Sequence, residues 1–187
     1  MLKPDRKQLL LPTELIAVLL GLLVFSHGAA ISRTNQAQSK AGPIKDGTGA
    51  GEILIGESTA ADVEARHGTK YELKNMNDYS YRMDYTDSQL AFYYCFQDPK
   101  KKIFLVEIRD GGVTSKGIVI GTSTKKDVVA LYGEKSGGSA DIFEYPGMQF
   151  YFEPRPKTEA KDEAAEMNRK VIEVDIVAPD KSSNFCG

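Results

Sequence analysis

The chain has no tryptophan, only two cysteines and only two histidines in 187 residues, and each shortage removes a class of chemistry. His27 falls in an N-terminal leader, so His67 is the sole imidazole of the remainder. A His-Glu-x-x-His zinc helix, a Cys-x-x-Cys pair and a phosphate-cradling glycine loop are all missing. Neither sign of charge dominates: 24 basic and 26 acidic residues give a net charge of −2 and a pI near 5.8. Nucleic-acid binding needs a basic face, so this balance excludes a nucleic-acid partner. Long apolar runs are scarce too; the longest, Leu15 to Phe25, has 11 residues against the ~20 needed to span hydrocarbon. What the chain does have is 41% apolar and 27% charged residues, the composition of a globular domain long enough to bury a core.

The first 30 residues read as a leader. Lys3, Arg6 and Lys7 precede the apolar stretch, and Ser26-His27-Gly28-Ala29-Ala30 supplies the small residues an export peptidase prefers. Two readings stay open, a cleaved export signal and a retained anchor over residues 9–31. Both put the remainder outside the cytoplasm, in a periplasmic, secreted or membrane-tethered position, because the basic end stays inside. No cysteine lies near residue 30 to accept a lipid. Residues 31–51, rich in Ser, Gln, Gly and Lys, read as a flexible linker. Cys95 and Cys186 are either a disulfide, as an oxidising compartment favours, or two free thiols.

Beyond the linker one signature occurs twice. Gly56-Glu57-Ser58-Thr59-Ala60-Ala61-Asp62-Val63, closed by Gly68, recurs 65 positions later as Gly121-Thr122-Ser123-Thr124-Lys125-Lys126-Asp127-Val128, closed by Gly133. Ile53 and Ile55 precede the first copy, Ile118 and Ile120 the second. Thr59 and Thr124 fit helix N-caps with Asp62 and Asp127 at the third helical position, and the closing glycines fit helix terminators. Such short helices persist only against other structure.

Period-two alternation follows each helix: Met83 and Tyr85, then Leu90, Phe92, Tyr94 and Phe96, then Phe104, Val106 and Ile108. The second set is Phe143 and Tyr145, Phe150 and Phe152, then Ile172, Val174 and Ile176. Tyr85/Tyr145, Gln89/Gln149 and Phe92/Phe152 share an offset of 60. The expected fold is α+β: two tandem helix-plus-three-stranded-meander repeats, residues 52–115 and 116–179, forming one antiparallel sheet with helices on one face. Residues 180–187 form a tail. Pro154 to Lys170 is a charged insertion, expected as a solvated excursion or an arm that touches a partner.

The run Gly-Ile-x-Ile-Gly-x-Ser-Thr-x-x-Asp-Val resembles the repeating unit of the β-lactamase-inhibitor-protein fold. It is also similar to the outer-membrane assembly lipoproteins of the SmpA/OmlA type. The resemblance implies a binding scaffold rather than an enzyme, with the open sheet face presented to a protein partner. No contact residue of those families can be matched by motif.

The strand positions opposite the apolar ones define that open face: Arg82, Asp84, Gln89, Ala91, Tyr93, Cys95, Leu105, Glu107 and Arg109, with Glu144, Gln149, Tyr151, Glu153, Glu173 and Asp175. Arg82, Tyr93, Glu107, Arg109, Tyr151, Glu153, Glu173 and Asp175 are the candidate binding residues, since tyrosines among charges suit an interface. No catalytic residue, metal ligand or cofactor is assigned, because strand-borne carboxylates seldom converge on an ion. His67 is matched by Tyr132 in the second copy, which suits a packed helical position better than a proton shuttle. Ser123-Thr124-Lys125-Lys126 mimics a Ser-x-x-Lys nucleophile motif, but Ser123 belongs to the helix start it shares with Ser58. The functional expectation is a non-catalytic, extracytoplasmic binding or envelope-associated module using the open sheet face. The alternative is an enzyme or small-ligand carrier with a site in the groove between the repeats.

Overall fold

A computed structural model describes residues 41–155, 162–178 and 186. They form an α+β fold of few helices and two antiparallel sheets. The small sheet holds β1 (Ile44–Lys45), β2 (Gly49–Ala50) and β3 (Ile53–Leu54). The large one holds β4 (Glu72–Asn75), β5 (Ser80–Tyr85), β6 (Leu90–Cys95), β7 (Ile103–Ile108), β8 (Gly137–Gly138), β9 (Ile142–Tyr145), β10 (Met148–Phe152) and β11 (Val171–Val177). Its spatial order is β4-β5-β6-β7-β11-β10-β9-β8, so β7 and β11 meet at the centre. Helices α1 (Ala60–His67) and α2 (Lys125–Tyr132) follow β3 and β7, and α3 (Glu163–Met167) lies between β10 and β11.

Both longer helices start and stop by the same chemistry. The Thr59 hydroxyl accepts from the Asp62 amide while the Asp62 carboxylate accepts from the Thr59 amide, and Thr124 and Asp127 repeat the exchange. One step earlier, Ser58 Oγ accepts from the Leu54 amide and Ser123 Oγ from the Val119 amide, each at 2.9 Å. Gly68 and Gly133 leave the helices at φ 82° and 81°, where a Cβ would be strained. Their carbonyls accept from Tyr85 Oη at 2.7 Å and Tyr145 Oη at 2.8 Å, which ties each helix end to the sheet. Val63 and Val128 are fully buried. His67 stacks on Tyr85 and Phe92, and Tyr132 on Tyr145 and Phe150, so both helices cover the apolar side of the large sheet.

Several expectations need correction. Each half of the large sheet has four strands rather than three, because β4 and β8 add edges. Edge strands expose both faces, so Glu72–Asn75 carries no apolar alternation to reveal it. On the last strand of each half Val106, Ile108, Val174 and Ile176 are buried as expected, but a bulge displaces the first member of each inward set. Tyr94 pairs with Ile103 and Tyr93 with Leu105, which makes Phe104 the extra residue; Phe152 pairs with Val171 and Tyr151 with Glu173, which makes Ile172 extra. Ile103 and Val171 are therefore fully buried, while Ile172 is 42% exposed, and Phe96 also faces solvent. The bulges aim backbone at the helix starts: Ile103 bonds to Ser58 and Gly56, and Val171 to Ser123 and Gly121.

The offset of 60 also fails beyond the first turn. β5 and β6 are joined through Thr86–Ser88 and Gln89, β9 and β10 by Pro146 and Gly147 alone. The ring that stacks edge-on against Tyr85 is Phe92, and its counterpart against Tyr145 is Phe150, not Phe152.

Residues 41–51 are not a flexible linker. Ala41, Ile44 and Ala50 are core residues, and Asp46 accepts from Tyr132 Oη at 2.7 Å. The Asp46-Gly47 pair turns the β1–β2 hairpin, with Gly47 at φ 68°. Residues 31–40 of the expected linker, the leader and the anchor segment 9–31 lie outside the described residues. Among the described residues no helix is long and apolar enough to cross a membrane.

Where it is described the insertion is largely exposed, as expected of a solvated excursion, but its end is anchored to the fold. Arg169 is 3% exposed and donates to the carbonyls of Glu153 and Ala140 and to the carboxylates of Glu166 and Asp141. Lys125, buried at the first turn of α2, pairs with Glu166 and donates to the Ala140 carbonyl.

Candidate functional site

On the side of the sheet away from α1 and α2, strand pairing lines up one residue from every strand. The row runs Glu72, Asp84, Ala91, Glu107, Asp175, Gln149, Glu144 and Gly137. Five of the eight are acidic, and they fall in one line because side chains alternate with period two.

The centre of this face is covered rather than open. Asp84, Ala91, Glu107 and Asp175 are all buried, as is Cys95. The cover is built from their neighbours. Arg82 Nη2 donates to Glu107 Oε1 at 2.7 Å and lies 3.5 Å from Asp84, while Tyr93 Oη donates to Glu107 Oε2 at 2.6 Å. Arg109 Nη2 donates to Asp84 Oδ1 at 2.6 Å, and its Nε lies 3.1 Å from Glu107 Oε1 without the alignment of a hydrogen bond. Because Asp84, Ala91 and Glu107 are successive members of the row, the Arg109 guanidinium that touches both acids passes over Ala91. A methyl side chain leaves room for it. Lys74 closes the near edge, 2.9 Å from Asp84 and 3.1 Å from Glu72.

On the β11 side the pairing runs short. Tyr151 Oη lies 3.0 Å from both Asp175 Oδ2 and Gln149 Oε1. Among the described residues, Asp175 Oδ1 is buried with no hydrogen-bond partner. Neither Glu173 nor Asp175 has an ion-pair partner among the described residues, whereas Lys74, Arg82 and Arg109 match Glu72, Asp84 and Glu107 one for one.

The titration behaviour follows this division. Burial pushes the Asp84 carboxyl up, but hydrogen bonds from Lys74 and Arg109 and the charge of Arg82 outweigh it, so Asp84 sits below the usual carboxylate range. Burial, then the charge of Glu107, push Glu173 up to about 7. Burial, then the charges of Glu173 and Glu107, hold Asp175 well above its ordinary value. Burial and the bond to Glu107 raise the Tyr93 phenol, and burial and the charge of Asp175 raise Tyr151.

Of the eight candidate residues, the structure brings Arg82, Tyr93, Glu107, Arg109, Tyr151, Glu173 and Asp175 into this cluster. Glu153 stands apart beyond the end of β10, where its carboxylate accepts from the Lys170 amide at 3.0 Å. Cys95, on β6, is joined to Cys186 by a disulfide. His67 is half-buried between rings, with its pKa lowered by burial and by Arg66. The sequence reading missed Lys74 and the role of Ala91, since both depend on cross-strand neighbours. It also missed the Lys125–Glu166–Arg169 cluster, whose members lie up to 44 positions apart.

No family model matches the chain, and no curated protein does. Among solved structures it is similar to the uncharacterized protein yfeY from Escherichia coli, at 14% identity and a TM-score of 0.48, over 73% of this chain and 99% of that one. It is also similar to YjgB, a DUF4309 family protein from Bacillus subtilis, at 14% identity and a TM-score of 0.40, over 71% of this chain and 88% of that one. Likenesses this distant carry no argument about function.

Proposed function

We propose that the chain is a non-catalytic, extracytoplasmic binding module of two helix-plus-meander units that presents the polar face of its large sheet to a protein partner. The observation that carries this reading is the fixed arrangement of Arg82, Tyr93, Arg109 and Tyr151, all half-buried and each hydrogen-bonded to a carboxylate of the same face. Tyrosine and arginine dominate interface energetics. Side chains already held in place lose little entropy on binding.

Three further features support it. The mirrored strand order and the matched capping boxes and Tyr–Gly contacts favour two related units. The Cys95–Cys186 disulfide fits an oxidising compartment. The cluster's two phenols, Tyr93 and Tyr151, are held with raised pKa values, which suits fixed hydrogen-bond donors better than activated nucleophiles.

The test is differential capture from a native envelope extract. Glu144→Lys with Gln149→Lys changes the half-exposed end of the row and leaves the apolar face untouched. Those two changes should abolish recovery of a partner that the wild type and a helix-side control, Lys126→Glu, both retain. Equal recovery by all three proteins rejects the polar face as the docking surface.

A further inference from the structure

We infer that Glu107, Glu173 and Asp175 form a binding site for a hard divalent cation of the calcium type at the β7–β11 junction. Three observations converge on it, and none depends on a protein partner.

The first is geometric. One carboxylate oxygen from each residue lies within 4.8 Å of the other two, a spread that an ion with oxygen ligands at about 2.3–2.6 Å can bridge. The sequence reading expects no metal because strand-borne carboxylates seldom converge. Here the pairing of Glu107 with Asp175 across two strands supplies the convergence, and Glu173 follows on the same side of β11.

The second is the unpaired oxygen. Asp175 is 6% exposed and its Oδ1 accepts no hydrogen bond from the described residues. A buried carboxylate oxygen without a donor is costly unless something else fills the role. A cation beside the neighbouring carboxylates fills it.

The third is charge. Arg82 and Arg109 already pair with Glu107 and Asp84, so Glu173 and Asp175, when ionised, carry two negative charges that no basic side chain among the described residues pairs with. One divalent ion balances them. The ligand set is all oxygen, with no imidazole or free thiol, which selects a hard ion and rejects zinc or copper. Glu173 is only half-buried, so it gives solvent access to the otherwise covered site.

The experiment uses the full chain, stripped with EDTA and studied at pH 7.5. Terbium, a calcium substitute, is excited through tyrosine; Tyr93 and Tyr151 lie beside the site and the chain has no tryptophan to compete. Calcium is titrated to about 10 mM, above the weakest affinities of extracellular calcium modules, about 10⁻³ M. The site predicts sensitised emission that calcium displaces, and a melting temperature that calcium raises by several degrees. Asp175→Asn and Glu173→Gln should each weaken terbium binding at least tenfold and remove the calcium shift. Both are isosteric and lessen repulsion, so both should melt in EDTA no lower than the wild type. Glu144→Gln, outside the triad, should bind as the wild type does. Absence of emission and of any calcium shift in the wild type would overturn the site, as would undiminished binding by Asp175→Asn.

Discussion

Glu107 and Asp175 occupy directly paired positions on β7 and β11, two carboxylates side by side on one face of the sheet. Like charges placed directly opposite are destabilising. The arginines relieve only one member, because Arg82 and Arg109 both attach to Glu107. Asp175 and its neighbour Glu173 carry the remaining repulsion, and the pH response of the fold should report it.

In EDTA, the sign of that response follows from the raised carboxyls. Glu173 has a folded value near 7 against an ordinary 4.5, so its contribution to stability is complete below about 4.5 and is lost as pH rises through 7. The lowered carboxyls, such as Asp84, act only at more acidic pH. His67, whose pKa is lowered by burial, acts in the opposite sense below about 6.5. The difference between wild type and Glu173→Gln removes the histidine contribution. Relative to that variant, the wild-type melting temperature should fall between pH 5 and 8, as read by circular dichroism. A constant difference would show that Glu173 does not titrate there.

Ala91 is a second sensitive point, since the Arg109 guanidinium crosses it to reach Asp84 and Glu107. Ala91→Leu should lift the arginine off both acids and cost about 1–3 kcal/mol, the usual range for overpacking. Urea unfolding measures it. Ala91→Ser should cost much less.

Lys125 supports the insertion rather than the sheet face. Lys125→Met removes the shorter of two hydrogen bonds to the Ala140 carbonyl and half of the Glu166 pairing. The expected loss is about 3 kcal/mol, the low end for one partner of a buried pair, because Arg169 still neutralises Glu166. Adding Glu166→Leu should recover part of it. A double variant no more stable than the single one would contradict this assignment.

Local signals in the sequence carried the helices well. Thr59 with Asp62, Thr124 with Asp127, and the glycines at 68 and 133 identify helix ends through contacts no more than four residues long. The alternation of Phe92, Val106 and Val174 likewise identifies the buried side. What stayed hidden depends on pairing between distant segments. The bulges at Phe104 and Ile172 are visible only against a partner strand. The β1–β2 hairpin has a turn signal in Asp46-Gly47, but so little apolar residue around Ile44 that composition suggests a linker. The carboxylates were identified individually as surface residues. That they share a partly covered site follows from Glu107 and Asp175, 68 positions apart, meeting where the two halves join.

The most direct measurement is a carboxyl ¹³C NMR titration of Glu173 in EDTA, repeated with calcium. The crowded, under-compensated junction predicts a midpoint near 7 without the ion and a midpoint well below that with it. A midpoint near the ordinary 4.5 in EDTA, unmoved by calcium, would contradict the account.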